Sequence, residues 1–255
     1  FEDSAVDLLY SLDAVTAALA AVYIEASYTG RIGLPRENVG GDPDYVEYRT
    51  RELTLDTDSL VIGSGGGDGS PRMLINLGAA QCAVKVFKTG VSDESDELHA
   101  LRIRGTHASN TLQVDGDSTV DVASEFGQTS EFATISVAGN AVVRISDGVT
   151  FGTLNVSGNA TVEVHTQTSL TDFTAINVSG NAVVLFYGDN DGGTVTITSE
   201  GTFDDRGEGT ITTLTKGPNA VYTTEASSVA AGARTVTNTV LASGPGEFND
   251  RSKKC

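Results

Sequence analysis

The sequence predicts an all-β protein that winds into a β-solenoid, and three observations support this fold. A nine-residue phrase, with two apolar alternations around a Gly-Asn pair, occurs at 135–143, 154–162 and 176–184. Its copies start 19 and 22 residues apart, a period typical of solenoid coils. The chain has 29 Gly and no Trp, and its many Thr, Val and Ser residues favour strands and tight corners. We therefore expect a single-stranded, right-handed β-helix with coils of about 20 residues and an irregular N-terminal region.

Each copy of the phrase predicts two strands joined by a corner. In the first strand, Leu154 and Val156 point to one face, which in a solenoid is the interior. A Gly-Asn pair follows, and these residue types tolerate the positive φ that a corner needs. In the second strand, Val162 and Val164 form the next inward pair, while Glu163 between them points outward. The corner amides are expected to hydrogen-bond from coil to coil along one edge; they belong to Asn140, Asn159 and Asn181.

Weaker copies extend the repeat in both directions. They share the apolar alternation but have altered corners, and they lie at 84–86, 101–105, 112–122, 195–201, 214–221 and 235–240. The segments at 84–86 and 101–105 are both expected to form the first strand of a coil. The solenoid is therefore predicted over residues 53–242, followed by a C-terminal tail at 243–255.

Residues 1–52 are predicted to form an N-terminal cap with an extended interaction loop. The segment 21–26 matches the first strand of a coil position by position, so we expect a strand there. Residues 4–19 fit a short capping helix or an irregular first coil equally well. Between 28 and 51 the repeat stops, and Gly, Pro, aromatic and charged residues replace it.

A long excursion from a rigid scaffold is where contact with a partner is expected, although it could also fold back over the solenoid. The candidate contact residues are mostly Arg and Tyr, the types enriched at interface hot spots. They are Arg31, Leu34, Arg36, Tyr45, Tyr48, Arg49 and Arg51. Two further loops stand out, a Gly-rich and flexible one at 63–70 and an acidic, solvated one at 92–97.

Composition and motifs favour a non-enzymatic protein without a cofactor or metal. The net charge of −18 argues against nucleic acid and anionic membranes as partners. Cys82 lies in an apolar run and is expected to be a buried free thiol, because it and Cys255 do not make a disulfide framework. The histidines, which have no metal-ligand spacing, are His99, His107 and His165. The Gly-rich segment lacks the Lys-Ser/Thr pair of a phosphate-binding loop.

One pair of carboxylates deserves comparison with glycosidases. Asp121 and Glu163 occupy outward positions of equivalent strands, two coils apart, which predicts a separation of about 10 Å. That separation is near the upper limit for an inverting pair and too long for a retaining pair. The strand between them carries Arg144, so we expect no enzymatic activity here.

Five stretches carry a resemblance to a known group of proteins. They are Tyr-Thr-Gly-Arg-Ile-Gly-Leu-Pro at 28–35, Glu-Tyr-Arg at 47–49, Leu-Val-Ile-Gly at 60–63, Gly-Thr-His-Ala-Ser-Asn at 105–110 and Ala-Arg-Thr-Val-Thr-Asn at 233–238. Together they resemble an uncharacterised family of β-solenoid proteins encoded by tailed phages and prophage-like regions. The resemblance covers most of the chain and implies a virion structural protein that forms a homotrimer. It implies no catalytic residues.

Three functional hypotheses follow. The leading one is a capsid decoration (cement) protein, or a tail-associated component, that clamps neighbouring capsid or tail subunits in the virion. The second is a tail fibre or tailspike-like adhesin that binds or cleaves surface glycans. The third is a bacterial surface solenoid, which would require an export signal upstream of Phe1.

Overall fold

The computed structural model describes residues 4–8, 18–34, 52–92, 99–124, 129–165, 173–188, 191–207, 209–224, 234–241 and 248–250. Within these ranges the chain forms twenty strands, which alternate between two ten-stranded sheets. The first sheet contains β1 (Val22–Glu25), β3 (Ser59–Ser64), β5 (Ala83–Val86), β7 (Thr111–Val114), β9 (Ser130–Val137), β11 (Val149–Val156), β13 (Phe173–Val178), β15 (Gly192–Ile197), β17 (Thr210–Lys216) and β19 (Thr235–Leu241). The second sheet contains β2 (Leu53–Thr54), β4 (Met73–Asn76), β6 (Leu101–Arg104), β8 (Thr119–Val122), β10 (Val142–Ile145), β12 (Thr161–Val164), β14 (Val183–Phe186), β16 (Thr202–Asp205), β18 (Val221–Thr224) and β20 (Phe248–Asp250).

This strand order is that of a β-solenoid, and the predicted fold class is confirmed. Successive odd-numbered strands pair in parallel, as do successive even-numbered strands, so each coil adds one strand to each sheet. Leu154 pairs with Ile135 on one side and with Ile176 on the other, at the offsets read from the repeated phrase. The right-handed sense of the coil stays a prediction.

The sheets extend beyond the predicted solenoid at both ends. The strand expected near 21–26 is present as β1, which pairs with β3, and β20 pairs with β18. Terminal strands join the sheets because their main-chain groups gain hydrogen bonds there. In the segment 4–19, Leu8 and Leu19 form isolated parallel bridges, as an irregular coil would, whereas residues 9–17 lie outside the described residues.

One strand assignment made from the sequence was wrong. The segment at 101–105 was expected to form the first strand of a coil, but β6 pairs with β4 and β8 in the second sheet. Both halves of a coil have the same inward alternation, so the hydrophobic pattern does not identify the sheet to which a strand belongs.

The core lies between the two sheets and is built from stacked inward rows. The predicted inward residues Leu154, Val156, Val162 and Val164 are fully buried, and Glu163 points outward as expected. Toward the C-terminal end the interior contains aromatic rings, with centroids 5.6 to 6.4 Å apart in successive contacts; they are Phe151, Phe173, Phe186, Phe203 and Tyr222. Burial of these large apolar side chains is the main favourable contribution to folding.

The predicted amide ladder along the corner is confirmed. Asn181 Nδ2 donates to Asn159 Oδ1 at 3.2 Å, and Asn159 Nδ2 donates to Asn140 Oδ1 at 3.2 Å. Asn140 Nδ2 in turn donates to Asp117 Oδ1 at 2.9 Å, where the weaker copy of the phrase has Asp instead of Asn. Side chains thus continue, at the corner, the coil-to-coil bonding of the strands.

Beside this ladder runs a row of glycines with positive φ. Gly139, Gly158 and Gly180 have φ of 70°, 72° and 69°. A Cβ on Gly158 would lie 3.0 Å from the backbone N and O of Gly139, closer than real Cβ atoms normally approach. In the next coil this position is Ser199, which has φ of 56° and is the one non-Gly residue with positive φ in the described part of the chain.

Several glycines of the segment 63–70, which was expected to be flexible, lie against neighbouring backbone, while residues 65–68 are exposed. A Cβ on Gly63 would collide with the backbone of Lys88, and a Cβ on Gly67 with that of Ala26. Lys88 Nζ also donates to the Gly67 carbonyl at 2.5 Å. Gly63 and Gly67 therefore serve the stacking of corners, and the expected flexibility of the segment stays a prediction.

A polar cluster replaces apolar packing near the C-terminal end of the core. Asp205 occupies an inward position and forms an ion pair with Arg234 at 3.1 Å, and these side chains are 0% and 2% exposed. Tyr222 donates to Asp205 at 3.1 Å, and Arg234 also donates to the Gly188 carbonyl at 2.6 Å. Burial raises the pKa of the Asp205 carboxyl, and the Arg234 guanidinium offsets part of that rise.

We predict that the conformation of the corner residues controls stability. Ser199→Gly should raise the free energy of unfolding by up to about 1 kcal/mol, because it removes a strained left-handed residue. Gly158→Ala should lower it by about 1–3 kcal/mol, because it adds both strain and a close contact. Urea titrations measure both. Gly66→Ala is the control, since its Cβ would meet nothing within 4 Å and its φ is not positive. Equal effects at Gly66 and Gly158 would contradict the prediction.

We predict that the buried pair behaves as a unit. Asp205→Val leaves the Arg234 guanidinium buried without its carboxylate, and should cost about 3–5 kcal/mol of unfolding free energy. The double variant Asp205→Val, Arg234→Met should recover most of that loss, because Val restores the residue type found at the equivalent Val164. Chemical denaturation of the singles and the double gives the coupling energy. A double variant no more stable than Asp205→Val would show that the two side chains act independently.

Candidate interaction surface at the N-terminal end

The two ends of the 28–51 excursion meet on one row of the second sheet. Ile32 forms a parallel bridge with Met73, and Leu53 pairs with Ile75 of the same strand, β4. Met73 and Ile75 are two residues apart, so Ile32 and Leu53 lie about 7 Å from each other along that row. Ile32 and Leu53 thus lie in one strand row beside β4, at the N-terminal end of the solenoid. The chain between them is an insertion that interrupts this row.

The outgoing end of the insertion is held by buried hydrogen bonds. Ser70 Oγ donates to the Gly30 carbonyl at 2.5 Å, and the Ile32 backbone donates to the Arg72 carbonyl at 2.8 Å. The Tyr28 hydroxyl lies 3.0 Å from the Val6 carbonyl. Burial, followed by the nearby Asp7, raises the pKa of Tyr28, so its hydroxyl remains a donor.

The returning end is held by an ion pair. Glu52 Oε2 lies 2.6 Å from Arg104 Nε on β6, and these side chains are only 7% and 12% exposed. The insertion is thus fixed to the scaffold on both sides by contacts shielded from water, where an ion pair is stronger than at the surface.

The structure places two of the seven predicted contact residues. Arg31 lies at this end with its side chain 41% exposed, 3.6 Å from the Asp7 carboxylate, while its backbone N–H donates to Asp7 at 2.8 Å. Leu34 is half-buried beside it. The other five lie outside the described residues; they are Arg36, Tyr45, Tyr48, Arg49 and Arg51.

The outer face of the second sheet carries a row of charged residues. Arg144 pairs in register with Asp121 on one side and Glu163 on the other, so the two carboxylates lie two strands apart as predicted. This spacing is about 10 Å, with a guanidinium in the strand between. His99 lies near this row, and burial lowers its pKa, while Asp121 opposes the shift.

The aromatic residues beside this charged row stack on one another. Glu163 contacts His165 at 3.1 Å, His165 stacks on Tyr187 at 4.8 Å, and the Arg206 guanidinium lies 5.4 Å from the Tyr187 centroid. The strand order places Tyr187 between His165 and Arg206, so both faces of its ring are occupied. This ring is therefore not a free platform for a sugar.

Metal-ligating and nucleophilic side chains are the remaining candidates for chemistry. In the ranges that the structure covers, no three His, Cys, Asp or Glu side chains group closely enough to hold a metal ion. The predicted burial of Cys82 as a free thiol is confirmed. Burial raises the pKa of the Cys82 thiol to about 11, with a smaller contribution from Asp58, so it is a weak nucleophile. The acidic residues 93–97 lie outside the described residues.

Sequence reasoning missed the contacts that fix the excursion. Glu52 and Arg104 are 52 residues apart and share no motif, so only the stacking of coils brings them together. A second amide ladder was also missed, in which Asn177 donates to Asn155 at 2.9 Å and Asn155 to Ser136 at 3.3 Å. Aligning the outward positions of successive coils would have revealed it.

No protein-family model, no curated protein and no solved structure matches the chain. None of the described segments is a helix that is long and apolar enough to cross a bilayer.

We predict that the Glu52–Arg104 pair stabilises the N-terminal coils. Glu52→Ala should cost about 3 kcal/mol, because it removes the carboxylate from a nearly buried ion pair. Asp7→Asn, which alters the exposed contact with Arg31, is the control and should cost at most about 1 kcal/mol. Urea titration with hydrogen exchange of β4 and β6 measures both. A loss at Glu52 no larger than that at Asp7 would contradict the structural role of the pair.

Proposed function

We propose that this protein is a non-enzymatic structural protein of a tailed-phage virion, a capsid decoration (cement) protein that clamps neighbouring subunits. It works as a homotrimer and contacts other virion proteins through the 28–51 excursion. The observation that supports the proposal is an insertion that interrupts one strand row at the N-terminal end of the solenoid. Buried contacts fix the insertion to the scaffold on both sides.

A solenoid suits a mechanical role because hydrogen bonds between stacked coils make it rigid along the solenoid axis. Each coil hydrogen-bonds to the next through both sheets, and the amide ladder from Asp117 to Asn181 adds a further bonded line. A load applied at one end is thus shared by many parallel hydrogen bonds, each modest on its own.

The composition of the excursion supports protein contact. Arg and Tyr residues, which provide large contact area and several donors, are concentrated in this part of a chain with only 16 Lys and Arg. The excursion contains four Arg and four Asp or Glu residues, so it is neutral within a protein of net charge −18 and repels an acidic partner less than the chain as a whole does. The motifs at 28–35 and 47–49 that resemble phage solenoid proteins lie in the same segment.

The adhesin hypothesis has one supporting feature, the Asp121 and Glu163 carboxylates on the outer face of the second sheet. Arg144 lies between them, and the Tyr187 ring beside them is covered on both faces. An inverting glycosidase needs space for a water and a sugar between its carboxylates. The guanidinium between the carboxylates and the covered ring therefore favour a surface of alternating charge over a glycan groove.

The experiment is localisation followed by rebinding. Mass spectrometry of purified particles from the source of the gene should detect the chain as a stoichiometric component. Particles stripped of it should rebind the purified protein, and a triple Ala variant at Arg36, Tyr45 and Tyr48 should bind at least about tenfold more weakly. The matched control is Arg144→Ala, an exposed Arg on the solenoid side, which should rebind normally.

Two results would overturn the proposal. One is absence of the chain from purified particles. The other is specific recognition on a glycan array, or release of reducing ends from a bound glycan, which would support the adhesin instead.

A further inference from the structure

Two outward rows of the first sheet are free of charge over seven consecutive strands, and the charged Glu131 of β9 lies outside these rows, paired with Thr150. From β7 to β19, two outward rows pair in register and contain fourteen residues. They are Thr111, Thr134, Thr153, Ala175, Thr194, Thr213 and Asn238 in one row, and Gln113, Ser136, Asn155, Asn177, Thr196, Thr215 and Val240 in the other. We call this the uncharged face. It ends at β5, where the next outward residue is Lys85.

This absence of charge contrasts with the rest of the molecule. Charged residues make up 20% of the chain, so fourteen positions would on average hold about three. On the second sheet, the matching outward row from β6 to β16 is charged at five of six positions. That row contains Arg102, Asp121, Arg144, Glu163, Leu185 and Asp204. The two outer faces therefore differ in electrostatics although their strands are built alike.

The uncharged face presents small side chains at a regular spacing. Its rows follow the strands, so equivalent groups recur about every 4.8 Å along the axis and about 7 Å apart across it. The hydroxyls of Thr194, Thr196, Thr213 and Thr215 make no hydrogen bond to other described residues. Beside the two rows, a hollow of about 480 Å³ is lined in part by Gly193 and Thr212 and, at its edge outside the rows, by Asp191, which accepts a hydrogen bond from the Thr210 backbone at 2.7 Å.

We propose that the uncharged face is the surface through which copies of this chain associate, which deepens the proposed homotrimer by naming its contact face. Two properties select a second copy as the occupant. Each copy has net charge −18, so copies approach with least repulsion where neither carries a charge. A second copy also has the same strand repeat, so its hydroxyls and amides can meet those of the first over many coils without losing register.

Around a three-fold axis, three parallel solenoids would turn their uncharged faces inward and their charged second sheets outward. Such closed cyclic symmetry is the usual form of a homo-oligomer. Small Thr, Ser and Ala side chains allow the sheets to approach closely, and the charged faces remain in solvent, where they keep the assembly soluble.

The test measures the association of the isolated full chain by sedimentation velocity. The wild type should sediment as a species of three times the 26.4 kDa protomer mass. Association should strengthen between about 0.15 M and about 1 M ionic strength, because salt screens the repulsion between acidic copies. An interface built on salt bridges would weaken instead, and that result would overturn the proposal.

Matched charge insertions locate the surface. Thr194→Glu with Thr213→Glu places two carboxylates on the uncharged face, and should weaken association at least about tenfold. Thr161→Glu with Thr202→Glu adds the same charge to outward positions of the second sheet and should leave association unchanged. Thr194→Val with Thr213→Val keeps the face uncharged and should retain the assembly. Circular dichroism of each variant shows whether the fold is intact.

A wild type that stays monomeric at all concentrations would overturn the inference, as would equal weakening by the two Glu pairs. These results are separable from a failure of the proposed function. If the wild type is a monomer and still rebinds stripped particles, the proposed contact face is wrong and the proposed virion role stands. If it is a trimer but is absent from particles, the virion role is wrong and the contact face stands.

Discussion

The close, in-register approach of one coil to the next is the constraint on which the rest of the structure depends. Backbone groups at both strands and at the corner must come within hydrogen-bonding distance of the coil before and the coil after. Gly139, Gly158 and Gly180 satisfy this requirement at the corner, because a Cβ there would meet the backbone of the preceding coil. Asn140, Asn159 and Asn181 can bond in a line only because the glycines beside them bring successive corners so close.

The same constraint explains where polar groups enter the interior. An inward row has one position per coil, and apolar side chains fill nearly all of the described ones. Near the C-terminal end, Asp205 takes such a position, and Arg234 and Tyr222 satisfy it. Since an unpaired buried charge is costly, this cluster links the start of β19, which Arg234 directly precedes, to the coils before it.

The two outer faces show how one scaffold separates two electrostatic roles. Alternation forces every second strand residue outward, and stacking then turns equivalent positions into continuous rows. One row contains Arg102, Asp121, Arg144 and Glu163, which alternate in sign so that no like charges are direct neighbours across strands. The rows on the first sheet contain hydroxyl and amide groups without charge, which suits contact with another flat surface. The proposed excursion contact lies at the N-terminal end, so particle binding and self-association would not compete.

The sequence alone determined the fold class, the inward pairs and the corner ladder, because each follows from a short local pattern repeated at a near-constant period. Leu154, Val156 and Asn159 could be assigned without any long-range information. Tertiary structure decided which sheet each strand joins, as the placement of Leu101–Arg104 shows, because inward alternation is the same in both sheets. It also decided the Glu52–Arg104 pair and the uncharged face. These depend on which coils stack and at what offset, and the variable lengths of the loops between strands hide that information from a local reading of the chain.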